Sequence, residues 1–148
     1  MPTLTAAIRV LAGLAILVVA ACDSTGSGTN TTPEPTSPAD LAGTAWTLVS
    51  IGDTPAIEGA GARLTFDSGG KVSGSTGCNS ISGSYALDGS ALTFGPLATT
   101  RMACEDALMA QEAAVLEALP GVSGWEIDAD GRLHLTGGTE LVLQQSVT

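Results

Sequence analysis

The chain has 148 residues, with 15 Asp and Glu against 5 Lys and Arg, a formal net charge of −10. That balance disfavours nucleic-acid or anionic-membrane binding through a basic patch, because the cations that displace counterions are missing. The acidic residues are spread along the chain and read as a solvated surface, one that also suits a cationic partner.

The first element is an apolar run after Arg9 that closes on Val19-Ala20-Ala21-Cys22. An aliphatic residue three before a cysteine, with small residues between, fits a lipoprotein signal peptidase and leaves the thiol free to take a diacylglyceryl group. An ordinary secretory segment or a spanning helix is the weaker reading. A span wants about 20 apolar residues, and polar Asp23, Ser24 and Thr25 follow at once. Residues 1–21 are therefore expected to be a signal peptide, with Cys22 lipidated at the new N-terminus. The protein is expected in the bacterial envelope, held on the membrane by that lipid with its domain outside the cytoplasm. Two or three acyl chains make such attachment stable where one is marginal. Asp23 resembles an inner-membrane retention signal in two-membrane envelopes, and the leaflet is left open. Residues 22–40 are rich in Ser, Thr, Gly and Pro without apolar periodicity. They read as the lipidated terminus and a tether, stiffened in its second half by Pro33, Pro35 and Pro38.

From residue 41 to 145 the pattern is that of one small domain of about 100 residues. Trp46 and Leu48 alternate with polar neighbours, as do Leu64 and Phe66, and Asp67-Ser68-Gly69-Gly70 offers a turn before a strand over 71–75. Further strands are expected at 83–87, 92–94, 125–128, 132–136 and 140–144. The turns between them, Asp88-Gly89, 128–131 and 136–139, hold residues that tolerate positive φ. One segment breaks the period: over about 103–119 there is no Gly or Pro, and Leu108, Val115, Leu116 and Leu119 recur at helical spacing. It predicts an amphipathic helix with Glu105 and Asp106 in its first turn, stopped by Pro120-Gly121. A strand-rich chain with one late helix argues for an α+β, mostly β fold, an antiparallel sheet curled into a barrel or sandwich with the helix over an open end or face.

With Cys22 assigned to lipid, Cys78 and Cys104 remain as an even pair in an oxidising compartment. A disulfide is the simplest reading, and two reduced buried thiols are the alternative. A two-cysteine metal site is disfavoured because His134 stands alone.

Thr44 to Leu48 (TAWTL), Gly74 to Asn79 (GSTGCN), the strand over 83–85, the run Thr99-Thr100-Arg101-Met102-Ala103-Cys104 and the following helix together resemble the META domain of HslJ-like bacterial proteins. The resemblance spans nearly all of 41–144. It implies a small antiparallel β-barrel-like domain with one helix, in secreted or lipid-anchored proteins linked to heat-shock response, antibiotic tolerance and, in a eukaryotic parasite, motility. Its most specific elements are Gly77-Cys78-Asn79 and the Thr-x-Met-Ala-Cys run from Thr100. Read from the residues, Gly74 and Gly77 permit close backbone approach, Asn79 ties a turn, and Cys78 staples it to the helix start. The motif reads first as architecture. Gly77, Asn79, Thr100 and Met102 are kept as candidate binding residues, because loop residues also carry function. Trp46, Tyr85, Trp125 and Met102 read as core or end-plug side chains.

No nucleophile with a base, carboxylate pair or metal centre is legible, so the expected class is not an enzyme and no cofactor is implied. His134 alternates with Leu133 and Leu135 and is expected on the polar face of a strand. Asp128-x-Asp130-Gly131 resembles the start of a calcium loop, but the later ligands are missing and a hairpin turn explains it better. Ser75, Thr76 and Ser80 lack any activating neighbour in the sequence. The favoured reading is a monomeric, membrane-anchored interaction module with an envelope protein partner, linked to envelope stress or antibiotic tolerance. The alternative is a small-ligand carrier or scavenger using the barrel mouth, suggested by few aromatics and many small residues.

Overall fold

In the computed structural model of the chain, residues 41–146 are described. The expected signal peptide, the expected lipidation site Cys22 and the expected tether lie outside them. Strand alternation places one apolar face inward along β1 (Thr44–Ile51), β3 (Arg63–Phe66), β4 (Lys71–Ser75), β5 (Ser80–Asp88), β6 (Ala91–Phe94), β8 (Gly124–Ile127), β9 (Arg132–Thr136) and β10 (Leu141–Gln145). Two-residue strands β2 (Thr54–Pro55) and β7 (Ala98–Thr99) complete the set, and a single helix, α1 (Asp106–Ala118), precedes a 3₁₀ turn at Leu119–Gly121. All strand pairs are antiparallel, running β10-β9-β8-β6-β5-β4-β3-β1, and β1 also pairs with β10, so the strands form a ring. The seam between β6 and β8, on either side of the helix crossover, is narrow, with Ala91 opposite Gly124 its one register pair.

A β-bulge between Leu48 and Ser50 adds a residue to β1 against β10. That extra residue is why Trp46 and Ile51, an odd number of positions apart, are both buried. Inside the ring, Trp46, Phe66, Leu92, Leu133, Leu135, Leu141 and Leu143 form one cluster with Val115, Ala118 and Leu119 from the helical segment. Tyr85 packs edge-on against Phe66, centroids 5.1 Å apart, and its hydroxyl donates to the Asp67 carbonyl. Trp125 is likewise buried, its indole N–H on Gly89 O at 3.1 Å.

Most elements fall where the alternation places them, β4 and β9 to the residue. Two differences have physical causes. The helix begins at Asp106 instead of about 103, because the backbone ahead of it is extended and bonded to Asn79, as described below; Glu105 is its N-cap, at φ −60 and ψ 148. Met102, expected as a core or end-plug residue, is 60% exposed: its backbone is held and its side chain points away. The 128–131 segment is a hairpin turn, with Asp128 Oδ1 accepting the N–H groups of Asp130 and Arg132, both at 2.9 Å. Among the described residues no helix is long and apolar enough to cross a membrane.

Candidate functional site

The turn joining β4 to β5 carries Thr76, Gly77, Cys78 and Asn79, and it meets α1 at one end of the ring. Glycine is required on both sides of Ser75 for different reasons. A Cβ on Gly74 would collide with the Arg63 carbonyl across the β3–β4 ladder. Gly77 has φ 103, and its Cβ would press within 3.0 Å of Gln111 Nε2 on the helix.

Asn79 is 1% exposed and organises the site. Its Oδ1 accepts the Met102 N–H at 2.7 Å and the Thr100 hydroxyl at 2.8 Å. Its Nδ2 donates to Met102 O at 3.1 Å and to the Glu112 carboxylate, with Oε2 at 2.8 Å, one hydrogen to each side. The amide thus grips both backbone polar groups of one residue, Met102, as a neighbouring antiparallel strand would. Thr100 extends the pairing: its hydroxyl accepts the Ser80 N–H at 3.0 Å and its own N–H bonds Ser80 O at 3.1 Å. This commitment of the 100–102 backbone is what delays the helix.

Thr76 is fully buried. Its one hydroxyl proton goes to Glu112 Oε2 at 2.8 Å, the shorter of two contacts, while the oxygen receives the Asn79 N–H at 3.1 Å. Gln111 completes the cluster, donating to Thr76 O at 2.8 Å and accepting the Ile57 N–H at 2.7 Å. Glu112 is held by these neutral donors: the ion pairs among the described residues are those of His134. Every buried side-chain nitrogen and oxygen among the described residues has a partner. A disulfide between Cys78 and Cys104, Cα atoms 6.0 Å apart, closes the assembly covalently. Thr76, considered in sequence as a nucleophile, is an internal tie that no substrate reaches, and Ser75 Oγ is occupied by the Gly77 N–H at 3.1 Å.

Sequence reasoning brought Gly77, Cys78, Asn79, Thr100, Met102 and Cys104 to this place, and the structure joins them. It missed Gln111 and Glu112. Their signal was positional: they fall on the helical face defined by Leu108, Val115 and Leu119, where burial is expected whatever the residue type.

Residues 39–148 match the family model of the META domain. The chain belongs to the META domain family. A protein from Burkholderia xenovorans solved by NMR is 32% identical, covering 86% of this chain and 100% of that one with a TM-score of 0.60. A second NMR structure is 28% identical over 72% of this chain and 92% of that one, with a TM-score of 0.58. No curated protein gives a significant match.

Two clefts mark the surface of this META domain. One of about 770 Å³ runs over Thr47, Val49, Glu58, Gln144 and Gln145, and one of about 460 Å³ separates α1 from β2. Exposed large apolar side chains gather at the helix end: Ile57 bonds Gln111 through its N–H, Met102 bonds Asn79 through its backbone, and Met109 Sδ lies 3.8 Å from Cys78 Sγ.

A second polar cluster lies on the outer face of the β8–β10 sheet. His134 Nε2 is 3.0 Å from Asp128 Oδ2 and Nδ1 is 2.9 Å from Glu140 Oε1. Both ring nitrogens meet a carboxylate, so the doubly protonated imidazolium satisfies both contacts and a neutral ring only one. The hydrogen bond to Asp128, then that to Glu140, raises the His134 pKa above 6.5. The Arg132 backbone N–H, then the His134 side chain, lowers that of Asp128.

Proposed function

We propose that this META domain is the folded part of a membrane-anchored envelope lipoprotein and acts as a non-catalytic interaction module. The observation that carries the reading is the grouping of Ile57, Met102 and Met109, exposed apolar side chains, around an end of the domain pinned by a disulfide and a fully satisfied buried network. Pre-organised surfaces bind well because little ordering entropy is lost on association. Cys22 supplies the lipid and the 22–40 segment the reach. The family resemblance suggests the setting, envelope stress or antibiotic tolerance. The carrier alternative loses support from the ring interior, where bulky side chains pack into one cluster.

The test is photocrosslinking in the intact envelope from position 102 or 109 of the monomeric, lipidated protein, beside Cys22→Ala and Cys78→Ser variants. A single stoichiometric protein partner, lost in Cys78→Ser, is expected; recovery of no specific partner overturns the reading. Cys22→Ala is expected to release the protein from the membrane, and unchanged attachment overturns the anchor.

A further inference from the structure

The 460 Å³ cleft between α1 and β2 has two mostly apolar walls, Ile51, Thr54, Pro55 and Ile57 on one side and Ala107, Ala110 and Ala114 on the other. The alanines fall at i, i+3 and i+7, one stripe of the helix, and their small side chains are what leave the groove open. Gln111 also lines it, but its amide is already committed to Ile57 and Thr76, so an apolar group can cover it without stranding a polar atom. The surroundings carry one sign of charge. Asp53, Glu58 and Asp106 each adjoin a lining residue in the chain and are exposed, and exposed Glu117 continues the alanine stripe one turn beyond Ala114. None of the Lys and Arg of the described residues lines the groove or adjoins a lining residue.

From this geometry we infer that the α1–β2 groove docks an amphipathic helix of a partner protein, its apolar face in the groove and Lys or Arg along its flanks. The inference rests on the interaction-module reading and names the partner's chemistry. Strand addition is the competing mode, and β2 does not suit it: the edge is two residues long and Pro55 has no N–H to offer. Side-chain anchors at helical spacing fit a groove between a helix and a short strand, while acidic flanks attract a cationic helix and repel an acidic one.

The experiment uses the full chain in zwitterionic nanodiscs and three labelled peptides: a 14-residue Leu/Lys helix with Leu at i, i+3, i+4 and i+7, its Leu/Glu counterpart, and a scrambled Leu/Lys control. Binding is read by fluorescence anisotropy and located by methyl NMR. The amphipathic Leu/Lys peptide is expected to bind at least tenfold more tightly than either other, shifting Ile57, Ala107, Ala110 and Ala114. Filling the groove with Ala110→Trp should weaken binding more than tenfold, and the combined Asp53→Asn, Glu58→Gln, Asp106→Asn variant about threefold to tenfold. Thr93→Trp, exposed on β6, should leave it unchanged. Equal binding of the scrambled peptide, insensitivity to Ala110→Trp, or shifts located elsewhere overturns the proposal, as does self-association through this groove. If a partner crosslinks at Met102 or Met109 while Ala110→Trp has no effect, the interaction module stands and this groove is not its docking site.

Discussion

Asn79 and His134 each sit at the centre of a small polar cluster that fastens separate segments, yet they do different work. Asn79 is buried between a turn and the helix, and its bond to Glu112 is buried with it, while those to Thr100 and Met102 are partly buried. His134 lies on the open face of a sheet, 20% exposed in its side chain, between carboxylates that are 30% and 47% exposed. Similar numbers of hydrogen bonds therefore carry unequal weight. A buried bond costs a full desolvation penalty when broken, whereas an exposed ion pair exchanges its partner for solvent.

Asn79→Ala is the sharpest way to break the comparison. It removes a donor from buried Glu112 and the partly buried ties to Met102, so chemical denaturation should show a loss of about 2 to 4 kcal/mol. The double substitution Cys78→Ser, Cys104→Ser releases a loop with a sequence separation of 26 and should cost on the order of 3 kcal/mol by the same measurement. The His134 cluster is expected to give less, visible as pH dependence. Because the His134 pKa is raised, its contribution is present below the ordinary value of 6.5 and fades as pH rises through the folded value. Because that of Asp128 is lowered, its contribution is present above the ordinary 3.8 and fades as pH falls through the folded value. Stability from the cluster should be greatest between those ordinary values, and His134→Ala should remove a Tm difference of at most a few degrees between pH 5.5 and pH 8.5. Smallest of all, Met102→Ser should change stability by no more than about 0.5 kcal/mol, since only its backbone is gripped. A large loss there would show that the exposed side chain packs in the free domain.

The strands were legible because a half-buried strand writes its environment into the sequence at period two; Lys71 to Ser75 and Arg132 to Thr136 needed nothing else. The cysteine pair was legible for a chemical reason, an even count once Cys22 is set aside. The helix start was not, because the residues before Asp106 have no helix-breaking composition; what holds them extended is an amide 23 positions away from Met102. Strands β2 and β7 were missed because two residues carry no period.

By itself, then, the sequence determined the mostly β architecture, the number of long strands, the single helix and the GSTGCN and TRMAC segments as its distinctive parts. These are local signals: side-chain alternation, turn chemistry and cysteine parity are all written within a few residues. Only the tertiary structure decided that Gln111 and Glu112 belong with Asn79, that Met102 faces outward, and that a row of alanines opens a groove beside β2. Those facts depend on which segments meet in space, and a buried glutamate looks in sequence like any solvated one until its donors are brought to it.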